Sequence, residues 1–248
     1  MKSRILLIVE GKKDEPNILG SETRGLLSLI KADEYEVIPF SNPIYELYES
    51  YKNGDYDDTV AFLRAYKGLK ISNDMLSKNA FRAVYLIFDF DPHYQKYSEQ
   101  TIREMLHIFN NETELGKLYI NYPMVEAYYH LCTLPDPDFY RRTVSIEGLS
   151  GKRYKKHENN CTCLKKNKIS DYELAEIIYH NLTKAKMLLE SDSNEIDYSE
   201  LLERQILMIH SNRCFHVLST MPLLVFDYNP KRTLEMINKK IEEGRIHS

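Results

Sequence analysis

The sequence predicts an α/β protein in which a mostly parallel four-stranded sheet has helices on both faces and is followed by a helical C-terminal portion. Two short apolar runs, residues 5–9 (ILLIV) and 83–88 (AVYLIF), are typical of strands buried on both faces of a parallel sheet. Helical patterns alternate with strand-like runs up to residue 130, which favours right-handed crossovers. We therefore expect a sheet domain over residues 1–130 and a mostly helical region over 131–248.

The first predicted strand leads directly into a helix. Asp14 and Glu15 are residue types that favour a helix N-terminus, and Pro16 fits the first helical turn. Apolar residues at helical spacing continue to residue 30. The pattern therefore predicts one helix up to that point, weakened in its middle by Gly20 and Gly25.

A second strand and two helices are predicted next. Residues 35–40 alternate and are apolar enough for a strand. Residues 44–80 are typical of two amphipathic helices that are separated near Gly54, with a further break at 68–73. These helices are expected to cover one face of the sheet.

The strand at residues 83–88 is followed by a helix, a further strand and a helix. Ser98 is a suitable N-cap for a helix that extends to about residue 110. Residues 116–121 (GKLYIN) are predicted as the fourth strand. Pro123 suits the first turn of a helix, which would place Glu126 one turn in, near the same sheet edge.

The remainder of the chain predicts helices and one basic loop. Helical patterns occur at residues 171–190, 197–209 and 232–241. Residues 217–228 are apolar and interrupted by Pro222. Residues 151–168 hold seven Lys or Arg against one acidic residue, which predicts either a solvated loop or a segment that contacts phosphate.

Composition predicts a cytoplasmic globular protein. The chain has 248 residues and 43% apolar residues, which is enough for a sizeable core. No apolar run is long enough for a membrane span, and residues 5–9 are too short for a signal peptide. Four cysteines in a chain of this length do not indicate a disulfide framework, so reduced thiols are expected. The net charge of −4 neither indicates nor excludes nucleic-acid binding, because a basic face can be masked by acidic surface elsewhere.

Carboxylates follow two of the predicted strands. Glu10 comes directly after the first, and Asp89 and Asp91 come directly after the strand at residues 83–88. Neighbouring strands lie about 4.8 Å apart, and open α/β sheets bind ligands at the carboxyl ends of their strands. Oxygen ligands of this kind suit Mg²⁺, with Mn²⁺ as an alternative ion. The sequence therefore predicts a metal site formed by these three residues, with Glu10 alternatively acting as the general base.

The motifs VEGKKDE and FDFD, in this order, resemble the signature of the TOPRIM fold. In that fold a Glu after the first strand and an Asp-x-Asp after a later strand bind Mg²⁺ for phosphodiester chemistry. The resemblance implies that Glu10, Asp89 and Asp91 form the core site. It also implies that Asp14 is a ligand of a second metal, as in OLD-like nucleases.

A third motif, NYPMVEAYYHL, is similar to a segment of RloB-like TOPRIM proteins and of the TOPRIM effector in the PARIS anti-phage system. This resemblance implies a Mg²⁺-dependent endonuclease that cleaves DNA or RNA, tRNA included, as a toxin of antiviral defence or abortive infection. Glu126 would support the catalytic site. The same relatives imply an ABC-type ATPase as a sensor partner. This sequence itself has no Walker motif.

Two other functions are left open. A TOPRIM module without catalytic activity would bind only a partner or nucleic acid. A haloacid-dehalogenase-like phosphatase also has an Asp-x-Asp after a strand, but that class places the motif near the N-terminus with a small hydroxyl residue soon after, whereas this chain has Pro92 and His93. The sequence leaves the oligomeric state open, a homodimer included.

Further candidate residues are basic, cysteine or histidine. The basic candidates for contacts with nucleic-acid phosphates are Lys12, Lys13, Lys152, Arg153 and Lys155. Zinc prefers cysteine and histidine ligands, which are present as Cys161, Cys163, Cys214 and His216. Their spacing is unusual for a zinc site, so free thiols are the favoured interpretation. His93 and His130 flank the acidic motifs and could transfer protons.

Overall fold

A computed structural model describes residues 4–20, 24–30, 34–54, 56, 58–66, 81–149 and 153–247. Its contacts divide the chain into two units. The first unit contains Met1–Asn17 and Lys31–Tyr119, and the second contains Ile18–Ile30 and Ile120–Ser248. The units are therefore interleaved along the chain, whereas the sequence predicted contiguous domains.

The first unit is built on a five-stranded sheet with the strand order β2-β1-β3-β5-β4. Its elements are β1 (Arg4–Val9), α1 (Asp14–Leu19), β2 (Glu34–Pro39), α2 (Ile44–Lys52), α3 (Thr59–Ala65), β3 (Ala83–Asp89), α4 (Glu99–Ile108), β4 (Asn110–Asn111) and β5 (Gly116–Asn121). β1 pairs in parallel with both β2 and β3, and its residues 5–9 are completely buried. The α/β class with a mostly parallel sheet is confirmed.

The predicted number of four strands is wrong, because β4 adds a fifth. β4 has only two residues and pairs antiparallel with β5, through Asn110 opposite Lys117 and Asn111 opposite Gly116. Two asparagines give no apolar alternation, so this strand depends on backbone pairing that the sequence pattern does not indicate.

The single helix predicted up to residue 30 is also wrong. α1 ends at Leu19, and a separate 3₁₀ helix covers Leu26–Leu29. Gly20 and Gly25 have φ values of +75° and +71°, a conformation that other residues rarely adopt and that ends a helix. The 3₁₀ helix then packs against a helix of the second unit, α8 (Met221–Tyr228).

The second unit is mostly helical, as predicted for the C-terminal portion. Its further elements are β6 (Thr143–Ser145), α5 (Arg153–Cys161), α6 (Asp171–Leu189), α7 (Tyr198–Asn212), β7 (Cys214–His216) and α9 (Pro230–His247). α6 packs against α7, α8 and α9 and is the central helix of the unit. β6 and β7 form a separate antiparallel ribbon.

Three local predictions in the second unit are corrected. Pro123 does not open an α-helix, because a 3₁₀ helix begins only at Val125 and ends at Tyr129. Part of the stretch 151–168 is not a loop, because Arg153–Cys161 forms α5. Pro222 does not interrupt a helix, because it lies in the first turn of α8, where its missing N–H has no helical partner to lose.

The expectation of four reduced cysteines is not met. Cys132 and Cys161 are joined by a disulfide, with their Cα atoms 5.0 Å apart. Cys163 and Cys214 are free thiols. The two bonded residues are separated by 29 positions, a pairing that the spacing of cysteines in the sequence does not indicate.

The N-terminus of α6 carries a complete capping box. The Glu173 N–H donates to Ser170 Oγ at 3.2 Å, and the Ser170 N–H donates to Glu173 Oε2 at 2.7 Å. We expect Ser170→Ala to lower the free energy of unfolding by about 1 kcal/mol in a denaturant titration, because the Glu173 N–H at the helix end loses its acceptor. Ser211→Ala, an exposed serine in the last turn of α7, is the control and should change stability by less than about 0.5 kcal/mol. Equal effects of the two substitutions would contradict the role of the cap.

In the described part of the chain, none of the helices combines the length and the apolar character needed to span a bilayer.

Candidate metal site at the end of strands β1 and β3

Glu10 is held by backbone hydrogen bonds to β3 and to Ser41, which lies two residues beyond the end of β2. Its N–H donates to the Ile87 carbonyl oxygen at 3.1 Å, and its own carbonyl oxygen accepts from the Ser41 N–H at 2.8 Å. Glu10 directly follows the last residue of β1, which lies opposite Ile87 of β3 and Pro39 of β2. The apolar run of β1 therefore places this carboxylate at the carboxyl edge of the sheet, as the sequence predicted.

Asp89 is the last residue of β3 and contacts Glu10 directly. The Asp89 N–H donates to Glu10 Oε2 at 3.1 Å, so the ends of the two central strands are joined through the Glu10 side chain. Asp91 follows two residues later, beyond the end of the strand. Its Oδ1 accepts from the His93 N–H at 3.0 Å, which holds the carboxylate in a turn that ends the strand.

A fourth carboxylate, Glu15, lies beside this group and was treated in the sequence analysis only as a helix-start signal. Glu15 is buried, at 2% exposure, and its Oε1 accepts from the Gly11 N–H at 2.9 Å. A Cβ atom at Gly11 would collide with the Glu15 carboxylate, so a larger residue at position 11 would displace the Glu15 side chain. The spacing of the Gly and the Glu, four residues apart after an apolar strand, is the signal that could have identified it.

The environment of Glu10 disfavours the negatively charged form of its side chain. Burial raises the pKa of Glu10 from 4.5 to about 7, the hydrogen bond from the Asp89 N–H opposes this, and the negative charges of Glu15 and Asp91 raise it further. A bound cation would offset these effects. The donors are all oxygen atoms, so the residues present fit Mg²⁺ or Mn²⁺.

The carboxylates are not drawn into a compact ligand set. Within the described ranges, the set of three His, Cys, Asp or Glu ligand atoms that all lie within 4.8 Å of one another is His130, Cys132 and Cys161. Glu10, Asp89 and Asp91 as a set are spread more widely than this limit. Mutual repulsion of carboxylates favours such a spread, and side-chain rotation would be needed to gather them around an ion.

Tyrosines support the segment that carries Asp91. The Tyr45 hydroxyl donates to the Asp91 carbonyl oxygen at 3.4 Å, and the Tyr45 ring stacks on the Tyr94 ring with centroids 5.1 Å apart. The Tyr94 hydroxyl in turn donates to Glu46 of α2. Helix α2 therefore fixes the turn after β3, a role for these residues that the sequence analysis did not identify.

The remaining predicted residues of the first unit lie on its surface. Lys12, Lys13 and Asp14 are exposed and follow Glu10 in the chain at the start of α1. Asp14 is the first residue of that helix, where an acidic side chain is favourable without any metal. Its role as a ligand of a second metal stays a prediction.

Glu126 belongs to the second unit. It is 5% exposed and forms an ion pair with Lys155 of α5. Arg153, the first residue of α5, is exposed, and Lys152 lies outside the described residues. Lys155 therefore has a buried acidic partner, which makes it less available to bind a phosphate. The catalytic role of Glu126 stays a prediction.

Asn121, which opens the third motif, has a structural role. Its side chain is completely buried, and Oδ1 accepts from the Ser219 hydroxyl at 3.1 Å and from the Thr220 N–H at 3.1 Å. Tyr122 and Leu218 exchange backbone hydrogen bonds of 2.8 Å in both directions. Asn121 and Tyr122 belong to the second unit, and this part of the motif therefore contacts the start of α8 within that unit.

The residues considered as an alternative zinc site are not assembled as a set. Cys161 ends α5 and Cys163 is exposed beyond it, whereas Cys214 and His216 lie on β7. No group that combines Cys161 or Cys163 with Cys214 and His216 is found among the described residues. His93 is exposed, and His130 is completely buried next to Cys132.

The fold and this site define an α/β protein with acidic residues at the carboxyl edge of a mostly parallel sheet. Comparison of the chain with protein-family models, with curated proteins and with solved structures found no match.

Proposed function

We propose that the protein is a Mg²⁺-dependent nuclease that hydrolyses phosphodiester bonds in nucleic acid. The observation that carries the proposal is the junction of Glu10 with the end of β3, where its Oε2 accepts from the Asp89 N–H at 3.1 Å. Two strands that are adjacent in space but far apart in sequence thereby bring carboxylates to the edge where open α/β sheets bind ligands.

The side chains of Glu10, Asp89 and Asp91 would hold the ion. When bound, Mg²⁺ would polarise the phosphate and lower the pKa of an attacking water. Glu10 and Asp91 would both be ligands of the ion. Glu15 would stay hydrogen-bonded to the Gly11 N–H, and its negative charge would strengthen the attraction of the site for a cation. The exposed Lys12 and Lys13 follow Glu10 directly, where they can neutralise phosphates on either side of the cleaved bond.

The biological role is proposed from the resemblance of the three motifs to TOPRIM effectors. A nuclease of that type acts as a toxin in defence against phage, and its activity is released by an ATPase sensor. The tyrosine contacts that fix the Asp91 turn support a preorganised site, which a toxin needs for fast cleavage once it is released.

Cleavage by the full chain tests this proposal. The purified protein is incubated with single-stranded DNA, duplex DNA and total RNA, in Mg²⁺ or in excess EDTA. We expect cleavage of one polymer in Mg²⁺, and a loss of more than about 100-fold in Asp89→Asn/Asp91→Asn, because the metal supplies several kcal/mol of transition-state stabilisation.

The control is Asp138→Asn/Asp192→Asn, which removes two exposed carboxylates and should leave the rate unchanged. Metal binding is read separately from the rise in melting temperature on addition of Mg²⁺. If wild type and Asp89→Asn/Asp91→Asn gain the same stability from Mg²⁺ and neither cleaves, the protein is a module without catalytic activity and the proposal fails.

A further inference from the structure

A second group of potential metal ligands lies in the second unit, apart from the carboxylates described above. A ring nitrogen of His130 and the sulfur atoms of Cys132 and Cys161 all lie within 4.8 Å of one another. His130 and Cys132 stand two positions apart after the 3₁₀ helix Val125–Tyr129, and Cys161 is the last residue of α5. One imidazole and two sulfurs are the donor types of zinc sites.

The state of His130 points to a ligand. Its side chain is completely buried, Nδ1 lies 3.0 Å from the Tyr154 hydroxyl oxygen, and Nε2 has no hydrogen-bond partner among the described atoms. A buried imidazole nitrogen without a partner is costly. Zinc-binding histidines typically have one nitrogen fixed by a hydrogen bond and the other on the metal, so Nε2 is the nitrogen of His130 that remains for an ion.

Backbone hydrogen bonds hold the two ligand-bearing segments together. The Cys163 N–H donates to the Leu131 carbonyl oxygen at 2.9 Å, and the Thr162 hydroxyl donates to the Tyr129 carbonyl oxygen at 2.6 Å. The Cys132 N–H donates to Asp136 Oδ2 at 2.7 Å. Each ligand residue therefore belongs to, or directly adjoins, a segment whose main chain is already fixed.

The disulfide and a metal site are alternative uses of the same sulfur atoms. Two thiolates on a tetrahedral zinc lie about 3.8 Å apart, because each Zn–S bond is about 2.3 Å. Cα atoms 5.0 Å apart allow this separation after rotation of the cysteine side chains. His157 precedes Cys161 by one helical turn on α5, and its ring centre lies 5.3 Å from that of His130. His157 is exposed and lies outside the three-residue group, so its side chain would have to turn inward to supply the fourth ligand.

We propose that the reduced protein binds one zinc ion through His130, Cys132, Cys161 and His157. The ion would hold the C-terminal end of α5 on the segment that follows Tyr129. Its role would be structural, because four protein ligands leave no open position for a substrate. The proposal does not depend on the nuclease site.

The test is the metal content of the full chain, purified with a phosphine reductant and without chelators. We expect about one zinc per chain, a loss of this zinc in Cys132→Ser and in Cys161→Ser, and its retention in Cys214→Ser, which alters a cysteine outside the group. Replacement by Co²⁺ should give the charge-transfer absorption of cobalt thiolates in wild type and in Cys214→Ser.

Thiol titration of the denatured protein distinguishes the alternatives. Four reactive thiols after removal of zinc support the site. Four reactive thiols without zinc after reductive purification, or unchanged zinc content in both Cys132→Ser and Cys161→Ser, would overturn the proposal. Because Cys132→Ser could fold poorly, the melting temperature of wild type is also measured with a zinc chelator, and a fall that added zinc reverses is expected.

Discussion

Glu10→Gln is expected to abolish cleavage of nucleic acid and, in the same protein, to increase stability above pH 7. The loss of cleavage should exceed about 100-fold, because a proposed ligand of the metal loses its charge. Stability should increase because burial and the negative charges of Glu15 and Asp91 make the charged form of Glu10 unfavourable in the folded wild type. A gain in stability together with a loss of function is expected of a charged residue that an unfavourable environment holds in a functional site, so both effects are measured on the same protein.

The direction of the pH dependence follows from proton binding. The folded state binds the Glu10 proton more tightly than the unfolded chain, because its pKa is raised from 4.5 to about 7. This contribution to stability is complete below pH 4.5 and is lost as the pH rises to 7. The upper limit of the loss is about 3 kcal/mol, since one pH unit corresponds to about 1.4 kcal/mol, and solvent access to Glu10 reduces it to about 2 kcal/mol. Glutamine does not titrate and avoids the loss.

The measurement is the free energy of unfolding of both proteins in EDTA, at pH 5 and at pH 8. The advantage of Glu10→Gln should be small at pH 5 and about 2 kcal/mol at pH 8. Glu114→Gln, at an exposed position of the same unit, is the control and should give no such difference. A variant that is less stable than wild type at pH 8 would show that Glu10 is not crowded by negative charge. Mg²⁺ should stabilise wild type and have little effect on Glu10→Gln.

Asp136→Asn is expected to lower the free energy of unfolding by about 3 kcal/mol. Asp136 is 2% exposed, and its Oδ2 accepts from Arg142 Nη1 at 2.6 Å and from the Cys132 N–H at 2.7 Å. Arg142 Nη1 also donates to the His130 carbonyl oxygen at 2.8 Å. Removal of the carboxylate charge leaves the guanidinium without its anion in a largely buried site, which is the costly way to break such a pair.

The loss of stability expected for Asp136→Asn also depends on pH. Burial alone would raise the pKa of Asp136, but the hydrogen bonds from Arg142 and from the Cys132 N–H outweigh it and lower the pKa below 3.8. The stabilisation is therefore present above pH 3.8 and is lost as the pH falls through the lowered value. Chemical denaturation at pH 7 and at pH 3 measures it, and the gap between variant and wild type should narrow at pH 3.

The control is Glu243→Gln, which breaks a solvent-accessible, partly buried ion pair with Lys240 and should cost less than about 1 kcal/mol. If Asp136→Asn costs no more than this control, the buried pair does not stabilise the second unit.

The strands that position the carboxylates were predictable, because runs such as residues 5–9 combine strand length with uninterrupted apolar character. Helix α5 was not predictable in the same way. Only Tyr154 and Glu158 are buried on it, and Glu158 pairs with Lys166 at 2.5 Å. A glutamate that points inward gives no apolar signal, so the stretch is typical of a solvated loop by its composition alone.

The candidate metal site was predictable only as a set of residues. The positions of Glu10 and Asp89 follow from strand ends, but the contribution of Glu15 depends on how the chain folds back onto the Gly11 N–H. The grouping of His130 with Cys132 and Cys161 joins segments that lie 29 positions apart in the case of the two cysteines. Contacts of this range depend on tertiary packing, which local patterns do not specify.

The interleaving of the two units has a consequence for biosynthesis. The 3₁₀ helix Leu26–Leu29 leaves the ribosome long before its packing partner α8, which is complete only after Tyr228 has been added. At about 5–20 residues per second, the apolar side chains of Leu26 and Leu27 wait on the order of 10 to 40 s for this partner. The packing of this segment is therefore completed only after α8 has been made, and a nascent chain that stalls before that point carries an exposed apolar segment that chaperones and proteases can recognise.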